Sequence, residues 1–423
     1  MNYNEFIIEI ESKCAGKKKL QIENFTNYCN AIGNPEKTLK ALHIGGTNGK
    51  GSTSAMIESI LCAHGYSVGL NTSPHLVNYK ERFRINKQEI KEEKLLETYL
   101  KYRDLHSRFD TSFFEISTAL AFQIFYDESV DYAVIEVGMG GRLDATKLVH
   151  SEISVITNIG LDHTKSLGGS LEKIAWQKAG ILKPDTPVII GKMPDEAKNV
   201  ILNEAKPLGS KIISVDNQVI LTNPTLTPDG NFFDIELPEY GLKYQNLICN
   251  MVGIHQLDNV STALLCCAEI AKKHHWQLDE ALTRQGLSQV LWQGRMQKVA
   301  ANPTIIIDGA HNPDGIEKLV YNLANIYQYE QLLCVVAILS DKDFKLMLRK
   351  LSHIVDTFII TKSKSPRASS TNHLFDEVSQ DKQVIVREDV KEALQTAKNI
   401  ATEKDLICVT GSLYTVKEIL EAL

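Results

Sequence analysis

The feature that most constrains the fold is a glycine-rich segment between an apolar run and a run of helix length. The apolar run covers residues 41–44, and the helix-like run covers residues 52–64. The segment between them reads Gly46, Thr47, Asn48, Gly49, Lys50, Gly51 and Ser52. Glycines at a strand-to-helix turn let backbone N–H groups approach phosphate oxygens, and the helix start adds the positive end of its dipole. Since a lysine and hydroxyls stand in the same segment, we predict that it binds a nucleoside triphosphate.

The spacing of this segment departs from a strict phosphate-loop motif. Two residues separate Gly46 from the pair Gly49-Lys50, where the strict motif has four. A tight turn without a ligand is therefore the alternative interpretation, and the surrounding strand–loop–helix pattern favours the nucleotide.

Apolar runs alternate with helix-length segments along most of the chain, which predicts an α/β fold with a largely parallel sheet. Strands are expected at 41–44, 66–70, 132–137, 153–157 and 187–190. Helices are expected at 52–64, 90–103, 115–126 and 170–179. Short alternating runs with turn signals predict a small antiparallel insert at about 216–244. A second alternation, with strands at 304–308, 332–339, 357–361, 384–386 and 406–409, predicts a smaller C-terminal Rossmann-like α/β domain. We place the two domains at residues 1–296 and 297–423.

Composition excludes several classes of protein. The 423 residues carry a formal net charge of −6 and a pI near 6.1, which gives no basic footprint for nucleic acid or a membrane surface. The longest apolar run, at 332–339, is too short to span a bilayer. The first residues have neither a basic start nor an apolar core, and none of the eight cysteines forms a CxxC pair. We therefore expect no signal peptide, free thiols and a cytoplasmic protein that acts on small molecules.

Polar side chains follow several of the predicted strands of the first sheet. Ser73 stands in a Ser-Pro turn, Glu136 ends a strongly apolar run, and His163 follows another. The alternative interpretations are an ordinary turn for Ser73, a surface ion pair for Glu136 and a structural core histidine for His163. Beside a phosphate loop, however, oxygen ligands and phosphates predict a Mg²⁺–nucleotide site in which the histidine is the least expected member. Lys178 lies in a segment that is more apolar than expected for a lysine on the surface. Composition does not say whether its ammonium reaches solvent along an extended side chain, pairs with a carboxylate or is chemically modified.

The second half repeats this arrangement. Asp308 and His311 come directly after an apolar run, and Ser412 follows another near the C-terminus. Facing loops from the two halves are thus expected to share one cleft.

Taken together, these motifs resemble one family, the folylpolyglutamate synthases with their bifunctional dihydrofolate synthase members, within the Mur ligase superfamily. The matching segments run in the family's order over nearly the whole chain: 43–53, 72–76, 136–146, 161–164, 178–181, 255–259, 294–295, 308–313, 340–343 and 411–414. Each segment alone is a weak signal, but the ordered set is specific. The resemblance implies a P-loop ATPase-like first domain.

The resemblance also implies an ATP-dependent amide ligase that adds L-glutamate to dihydropteroate and to folate polyglutamates through an acyl phosphate. By the same analogy Ser73 and Glu136 hold one Mg²⁺, His163 holds a second, and K⁺ is a further cofactor. Lys178 is then the lysine that becomes carbamylated. Asn259, Arg295 and Asp308 contact ATP, with Arg295 reaching the γ-phosphate across the domain interface. The catalytic set is Lys50, His163, Lys178 and Arg295, in a chain that we expect to act as a monomer.

Fewer residues support the predicted binding site for the acceptor. By the resemblance, Ser112, Leu143, Asp144 and Ala145 contact the pterin, while His311 and Ser412 lie near the incoming glutamate. Two positions depart from the family pattern: Lys147 stands where Asn is usual, and the early pterin-side element appears only as residues 20–22. Two alternatives stay open: a Mur-type ligase for another acceptor, and a nucleotide-binding switch or kinase without ligase activity.

Overall fold

The computed structural model describes residues 1–13, 22–378 and 381–422. Cys14 and the first two residues of the early segment at 20–22 lie outside this description. Within these ranges the chain forms three β-sheets with helices packed against them, which confirms the predicted fold class.

The first sheet has eight strands and is mostly parallel. Its strands are β1 (Ala41–Gly45), β2 (Val68–Asn71), β3 (Phe83–Ile85), β4 (Gln88–Glu89), β5 (Tyr132–Glu136), β6 (Ser151–Ile156), β7 (Val188–Ile190) and β8 (Ile212–Ser214). Their order across the sheet is β4-β3-β2-β5-β1-β6-β7-β8, and β3 and β4 run antiparallel to their neighbours. Strands β1 and β5 are buried along their whole length, as continuous apolar runs covered on both faces should be.

The register of the central strands decides where the loops meet. Ile44 lies opposite Glu136, and Gly45 lies opposite Ile156. On the other side of β5, Asn71 of β2 lies opposite Ile135. The loops that follow β1, β2, β5 and β6 therefore leave the sheet at one edge, where open α/β sheets bind their ligands.

The second sheet is the predicted antiparallel insert. It contains β9 (Ile220–Thr227), β10 (Gly230–Leu237) and β11 (Leu242–Cys249), with β10 in the centre. The insert was predicted at about 216–244, and its last strand continues five residues further to Cys249.

The third sheet has six strands near the C-terminus. They are β12 (Gln297–Ala301), β13 (Thr304–Ile307), β14 (Leu332–Val336), β15 (Thr357–Ile360), β16 (Gln383–Val386) and β17 (Leu406–Thr410). The order is β12-β13-β17-β14-β15-β16, and only β12 pairs antiparallel within this sheet. The strand predicted at 332–339 ends at Val336, although residues 337–339 stay buried.

Helices cover the sheets and fill the connections between strands. In the described ranges they are α1 (Tyr3–Ser12), α2 (Ile22–Ala31), α3 (Lys50–Ala63), α4 (Glu92–Arg108), α5 (Phe113–Asp127), α6 (Thr164–Leu167), α7 (Leu171–Lys178), α8 (Asp195–Ala205), α9 (Val215–Gln218), α10 (His255–Lys273), α11 (Glu280–Ser288), α12 (Pro313–Ile326), α13 (Phe344–Leu351), α14 (Thr371–Phe375), α15 (Val390–Ile400) and α16 (Leu413–Leu420). None of them is both long enough and apolar enough to cross a bilayer.

Several predicted boundaries were wrong by a few residues; α4, for example, continues to Arg108 and not to residue 103. Two of these errors have local reasons. Helix α4 was expected at 90–103, but Ile90 belongs to the β3–β4 hairpin, where its N–H donates to Phe83 O at 3.0 Å. Strand β2 was expected from residue 66, but it begins at Val68 because Gly65 turns the chain with a φ of 86°. The seven described cysteines are all free thiols.

Candidate active site

A cavity of about 560 Å³ lies between the loop edge of the first sheet and the C-terminal sheet. Both halves of the chain contribute to its walls. Of the residues predicted from sequence, the cavity is lined by Thr47, Asn48, Gly49, Lys50, Gly51, Ser52, Ser73, Glu136, Asp144, His163, Lys178, Asn259, Arg295, Asp308, His311 and Ser412. The structure thus brings together side chains that are as much as 365 positions apart in the chain.

The backbone of the phosphate loop is fixed by hydrogen bonds to a neighbouring loop. The N–H of Thr47 donates to Asn158 O at 2.9 Å, and the N–H of Asn48 donates to Asn158 Oδ1 at 2.8 Å. Gly49 is the N-cap of helix α3 with a φ of 81°, and as a glycine it offers no side chain to cap the helix. The start of α3 and Lys50 therefore line the cavity in the strand–loop–helix arrangement that suits an anion, and phosphate binding by this loop stays a prediction.

Gly46 lies behind the cavity wall and has a structural role. Its φ is 141°, and a Cβ at this position would lie 2.0 Å from Thr157 Oγ1. We expect Gly46→Ala to lower the free energy of unfolding by about 3 kcal/mol, because backbone strain and overpacking add. Urea unfolding measures this change.

Gly65→Ala is the matched control for that variant. Gly65 also has a positive φ of 86°, but among the described residues no atom lies within 4 Å of a Cβ built there. The control should lose only about 1 kcal/mol. Equal losses in the two variants would contradict the steric argument at Gly46.

Ser73 and Glu136 meet at the edge of the sheet. The Ser73 N–H donates to Glu136 Oε2 at 3.1 Å, and Glu136 is 5% exposed. Burial raises the pKa of Glu136, while the Lys50 ammonium and the Ser73 hydrogen bond act in the opposite direction. A buried carboxylate beside a hydroxyl is a donor set that suits Mg²⁺ when phosphate oxygens and water complete its coordination. No group of three His, Cys, Asp or Glu side chains in the described part of the chain could hold a metal without such help.

His163 lines the same cavity and has a left-handed φ of 48°. Its N–H donates to Asp162 Oδ1 at 2.7 Å, and its side chain is 40% exposed. Partial burial lowers the pKa of His163 to about 4, against the attraction of Asp162. Its imidazole is therefore neutral near pH 7 and retains a lone pair for a cation or a proton.

Lys178 ends helix α7 and is 5% exposed. Its Nζ donates to Gly46 O at 2.6 Å, directly beneath the phosphate loop. Burial, helped by the nearby Lys50 ammonium, lowers the pKa of Lys178 to about 7, although Asp162 and Asp144 act in the opposite direction. A lysine with this lowered pKa has a substantial neutral fraction near pH 7, unlike a lysine on the surface.

The remaining predicted nucleotide contacts flank the loop. Asn259, on α10, packs so closely on Gly49 that a Cβ there would lie 2.3 Å from its Oδ1. Asp308 is 5% exposed and accepts from the N–H groups of Met296 and Ala310, both at 2.8 Å. Burial raises the pKa of Asp308, and the Arg295 guanidinium opposes this shift.

Sequence reasoning missed a set of contacts that joins the two halves of the cavity. Lys342 Nζ lies 2.5 Å from Asp162 Oδ1, and both side chains are less than 10% exposed. Asn48 Nδ2 of the phosphate loop donates to Asp314 Oδ2 at 2.7 Å. Although burial acts the other way, hydrogen bonding and charge from His311, with Lys342, hold the pKa of Asp162 well below its usual range. Asp162 and Lys342 fall within segments that match the family pattern, but no local signal pairs them.

The predicted acceptor residues are only partly in the cavity. Asp144 lines it and accepts from the N–H of Met139 at 2.9 Å. Ser112, Leu143 and Ala145 do not line it: Ser112 caps helix α5, Leu143 is 46% exposed, and Ala145 is buried in the core. Ser412 lines the cavity, where it caps α16 and its Oγ is 2.7 Å from Thr415 Oγ1.

Aromatic side chains that sequence reasoning did not select form another wall. Phe113 and Phe114 begin helix α5, and a Cβ on Gly138 would lie 2.4 Å from Phe114 Cζ. Arg82 lines the cavity beside them. The sequence gives no signal that these residues line a cavity, since a helix start and a charged turn are common on any protein surface.

Comparisons with known proteins find two family models that match the chain. Residues 44–267 match the Mur ligase middle domain, and residues 294–413 match the Mur ligase glutamate ligase domain. The chain is 32% identical to a dihydrofolate synthase/folylpolyglutamate synthase of Bacillus subtilis, over 93% of this chain and 92% of the relative. It is 31% identical to a folylpolyglutamate synthase of Lacticaseibacillus casei, over 100% and 99% of the two chains.

Solved structures are similar over the same length. The structure of Mycobacterium tuberculosis folylpolyglutamate synthase complexed with ADP superposes with a TM-score of 0.93 at 28% identity, covering 99% of this chain and 98% of the other. That of E. coli FolC in complex with DHPP and ADP superposes with a TM-score of 0.90 at 28% identity, covering 100% and 97%.

Proposed function

The chain belongs to the Mur ligase family, among the folylpolyglutamate and dihydrofolate synthases, and we propose that it joins L-glutamate both to dihydropteroate and to folates. It is an ATP-dependent amide ligase. The observation that supports this activity best is that one cavity holds the phosphate loop, the Ser73–Glu136 oxygens, an aromatic wall and groups from the C-terminal half. Such a cavity can bring together a triphosphate, an aromatic acid and an amino acid.

The reaction follows from the residue types in the cavity. A carboxylate is a poor electrophile, so an acceptor oxygen first attacks the γ-phosphorus of ATP, ADP leaves, and an acyl phosphate forms. The amine of glutamate, which loses its proton, then attacks the acyl carbon and releases phosphate. Phosphoryl transfer depends mainly on positioning and charge neutralisation. Lys50 and Arg295 supply fixed positive charge on two sides of the triphosphate.

The donor set of the cavity fits a divalent cation. Ser73 and Glu136 would hold one Mg²⁺ and His163 a second, and the bound ions would neutralise charge on the phosphates. We extend the proposal to K⁺ as a further cofactor, on the resemblance alone. His311 and Ser412 would lie near the incoming glutamate, and Asp144 would contact the acceptor.

We propose that Lys178 carries a carbamate. The neutral amine adds to CO₂ and loses one proton, which yields a carbamate anion. Three observations support this proposal: the burial of Lys178, its pKa near 7, and the repulsion that Lys50 exerts on the ammonium form. Carbamylation turns that repulsion into attraction and leaves one N–H that can still donate to Gly46 O.

The two domains, at 1–296 and 297–423, are proposed to close over the substrates. The Lys342–Asp162 ion pair and the Asn48–Asp314 hydrogen bond both cross this boundary. They join the phosphate loop to the domain that would carry the glutamate, so closure would bring the acyl phosphate and the amine together. We propose that the enzyme acts as a cytoplasmic monomer on small molecules, without nucleic acid or membrane partners.

An assay of phosphate release tests the function. With ATP and glutamate, we expect release with dihydropteroate and with tetrahydrofolate, and background release when either the acceptor or glutamate is omitted. A stable phosphorylated acceptor that accumulates without glutamate would instead indicate a kinase. Activity with a peptidoglycan precursor and with neither pterin would indicate another Mur-type ligase.

A further inference from the structure

We propose that His255 donates a hydrogen bond from Nε2 to a ring nitrogen of the purine base of the nucleotide, and that Asn322 holds the imidazole in the tautomer that this bond needs. The inference rests on the ligase function proposed above, because it adds a residue to the nucleotide site of that enzyme. His255 would touch the nucleotide, whereas Asn322 would act through His255 as a positioning residue. The two residues belong to different proposed domains, 1–296 and 297–423.

The side-chain amide of Asn322 has one orientation. Asn322 lies on helix α12 and is fully buried. Its Oδ1 accepts from the backbone N–H of Ile254 at 2.9 Å, and its Nδ2 lies 3.2 Å from His255 Nδ1. A backbone N–H can only donate, so the amide oxygen must face Ile254 and the NH₂ group must face the imidazole. Asn322 therefore donates to Nδ1 of His255.

The donation from Asn322 decides where the imidazole carries its proton. A ring nitrogen that accepts a hydrogen bond has no proton, so Nδ1 is the unprotonated atom. Burial, with the charges of Arg295 and Lys318, lowers the pKa of His255 to about 4, so the ring is neutral near pH 7. A neutral imidazole has one N–H group, which must then be at Nε2. His255 therefore presents a fixed hydrogen-bond donor.

The ring is also fixed in position. Gly253 packs so closely that a Cβ on this glycine would lie 2.9 Å from His255 Cε1 and 2.6 Å from Asn322 Nδ2. Gly253 is in turn held by the buried Asn231, whose Nδ2 donates to Gly253 O at 2.8 Å. The side chain of His255 lines the cavity, and the described residues offer Nε2 no hydrogen-bond partner. This N–H group can therefore bind a ligand in the cavity.

The place of His255 in the cavity suits the base of a nucleotide. His255 is the first residue of α10, and Asn259 lies one turn later on the same face, so their side chains are neighbours. Asn259 packs on Gly49 of the phosphate loop. A nucleotide with its phosphates on this loop can extend past Asn259 to His255, where Gly315 and the buried Leu319 of α12 add a surface for a flat ring. Purine ring nitrogens are hydrogen-bond acceptors, which a fixed N–H donor matches.

The test uses analogues of ADP in which one acceptor nitrogen of the base is replaced by C–H. Binding of ADP, 1-deaza-ADP, 3-deaza-ADP and 7-deaza-ADP is measured by calorimetry on the wild-type chain, His255→Phe and His255→Gln. We expect one analogue to bind the wild type about 3- to 10-fold more weakly than ADP, as the loss of one hydrogen bond predicts. His255→Phe should bind that analogue and ADP equally. His255→Gln, whose amide can also donate, should keep part of the difference.

The positioning role of Asn322 has its own readout. Asn322→Leu has nearly the same shape but cannot donate to Nδ1, so His255 should populate both tautomers. The ¹⁵N signals of the imidazole, identified by their absence in His255→Gln, should show a proton at Nε2 alone in the wild type and a mixture in Asn322→Leu. The difference between ADP and the weaker analogue should shrink in that variant.

Asn325→Leu is the matched control for Asn322→Leu. Asn325 is exposed on the same helix and donates to Tyr321 O at 2.7 Å, so its replacement should change neither the tautomer nor the difference between the ligands. A merely structural role for Asn322 would instead weaken the binding of ADP and of all three analogues equally and leave the tautomer unchanged. That result would overturn the assignment of Asn322.

The remaining outcomes separate the base contact from the proposed function. Equal binding of ADP and all three analogues to the wild type overturns the contact without any variant. A loss of the same size in His255→Phe also overturns it, because the bond would then belong to another donor such as Lys318. If His255→Phe does not fold, the wild-type imidazole decides: ADP should shift its Nε2 signal more than the weaker analogue does, and equal shifts overturn the contact. These measurements need neither acceptor nor glutamate, so a wild-type chain that forms no amide from either pterin refutes the ligase function alone.

Discussion

Replacing Lys50 by alanine is expected to lower kcat/KM for ATP by about 10³-fold while the protein still folds. Removal of one preorganised charge from a transition state costs 10²- to 10³-fold in comparable sites, roughly 3–4 kcal/mol. Lys50 stands at the first position of helix α3, so its loss removes a charge that the helix dipole supplements but does not replace. Steady-state kinetics with ATP as the varied substrate measure the effect.

The fold should survive this substitution because other contacts hold the loop. Lys50 Nζ donates to Thr47 O at 3.1 Å, whereas Asn158 holds the backbone of Thr47 and Asn48. The control is Lys404→Ala, which removes an exposed lysine that pairs with Glu330 on the far surface. Both variants should melt within a few degrees of the wild type. Turnover of Lys50→Ala within a few fold of the wild type would refute the phosphate role.

The fold was largely predictable because its signals are local. Buried parallel strands give continuous apolar runs, and glycine-rich loops follow them, so β1, β5 and the start of α3 could be placed to within a few residues. The failures were at element ends. Ile90 is apolar and fits the helix period of α4, but the hairpin partner Phe83 captures its N–H.

Residues of the candidate site could be predicted only where a short segment of sequence has a recognisable pattern of its own. The phosphate loop carries its own signal, and Ser73, Glu136 and Lys178 stand out as polar residues at the ends of apolar runs. Arg82 and the Asp162–Lys342 pair carry no such signal. Arg82 contacts His75 across a turn, and Asp162 contacts Lys342 from a distant part of the sequence, so neither contact can be read from one segment. Ser112 shows the reverse case: its predicted acceptor contact is still a prediction, and its observed contacts are those of a helix cap with Glu115.

Removing the amine of Lys178 is the second substitution with a large expected effect. Lys178→Ala should lower turnover by about 10²- to 10³-fold, because the site loses the anion that the carbamate would place beneath the phosphate loop. Acetate added to the assay should restore part of the activity, since it supplies a carboxylate to the space that the side chain leaves. Lys178→Met is the matched control, because its side chain fills the same space and should leave no room for acetate.

Dependence on CO₂ and on pH distinguishes a carbamate from an ordinary buried amine. The neutral form is the reactive one, so with a pKa near 7 its fraction rises as pH increases through 7 and falls below it. Wild-type activity should therefore decline below pH 7 in CO₂-depleted buffer and recover when bicarbonate is added, while the Lys178→Ala enzyme with acetate should not respond to bicarbonate. Intact-mass measurement at neutral pH should find the mass of one added CO₂ in the wild type and not in the variant. Full activity of the wild type after thorough CO₂ removal would contradict the carbamate. Equal rescue of Lys178→Met by acetate would contradict the proposed position of the anion, because the methionine side chain leaves no space there for a carboxylate.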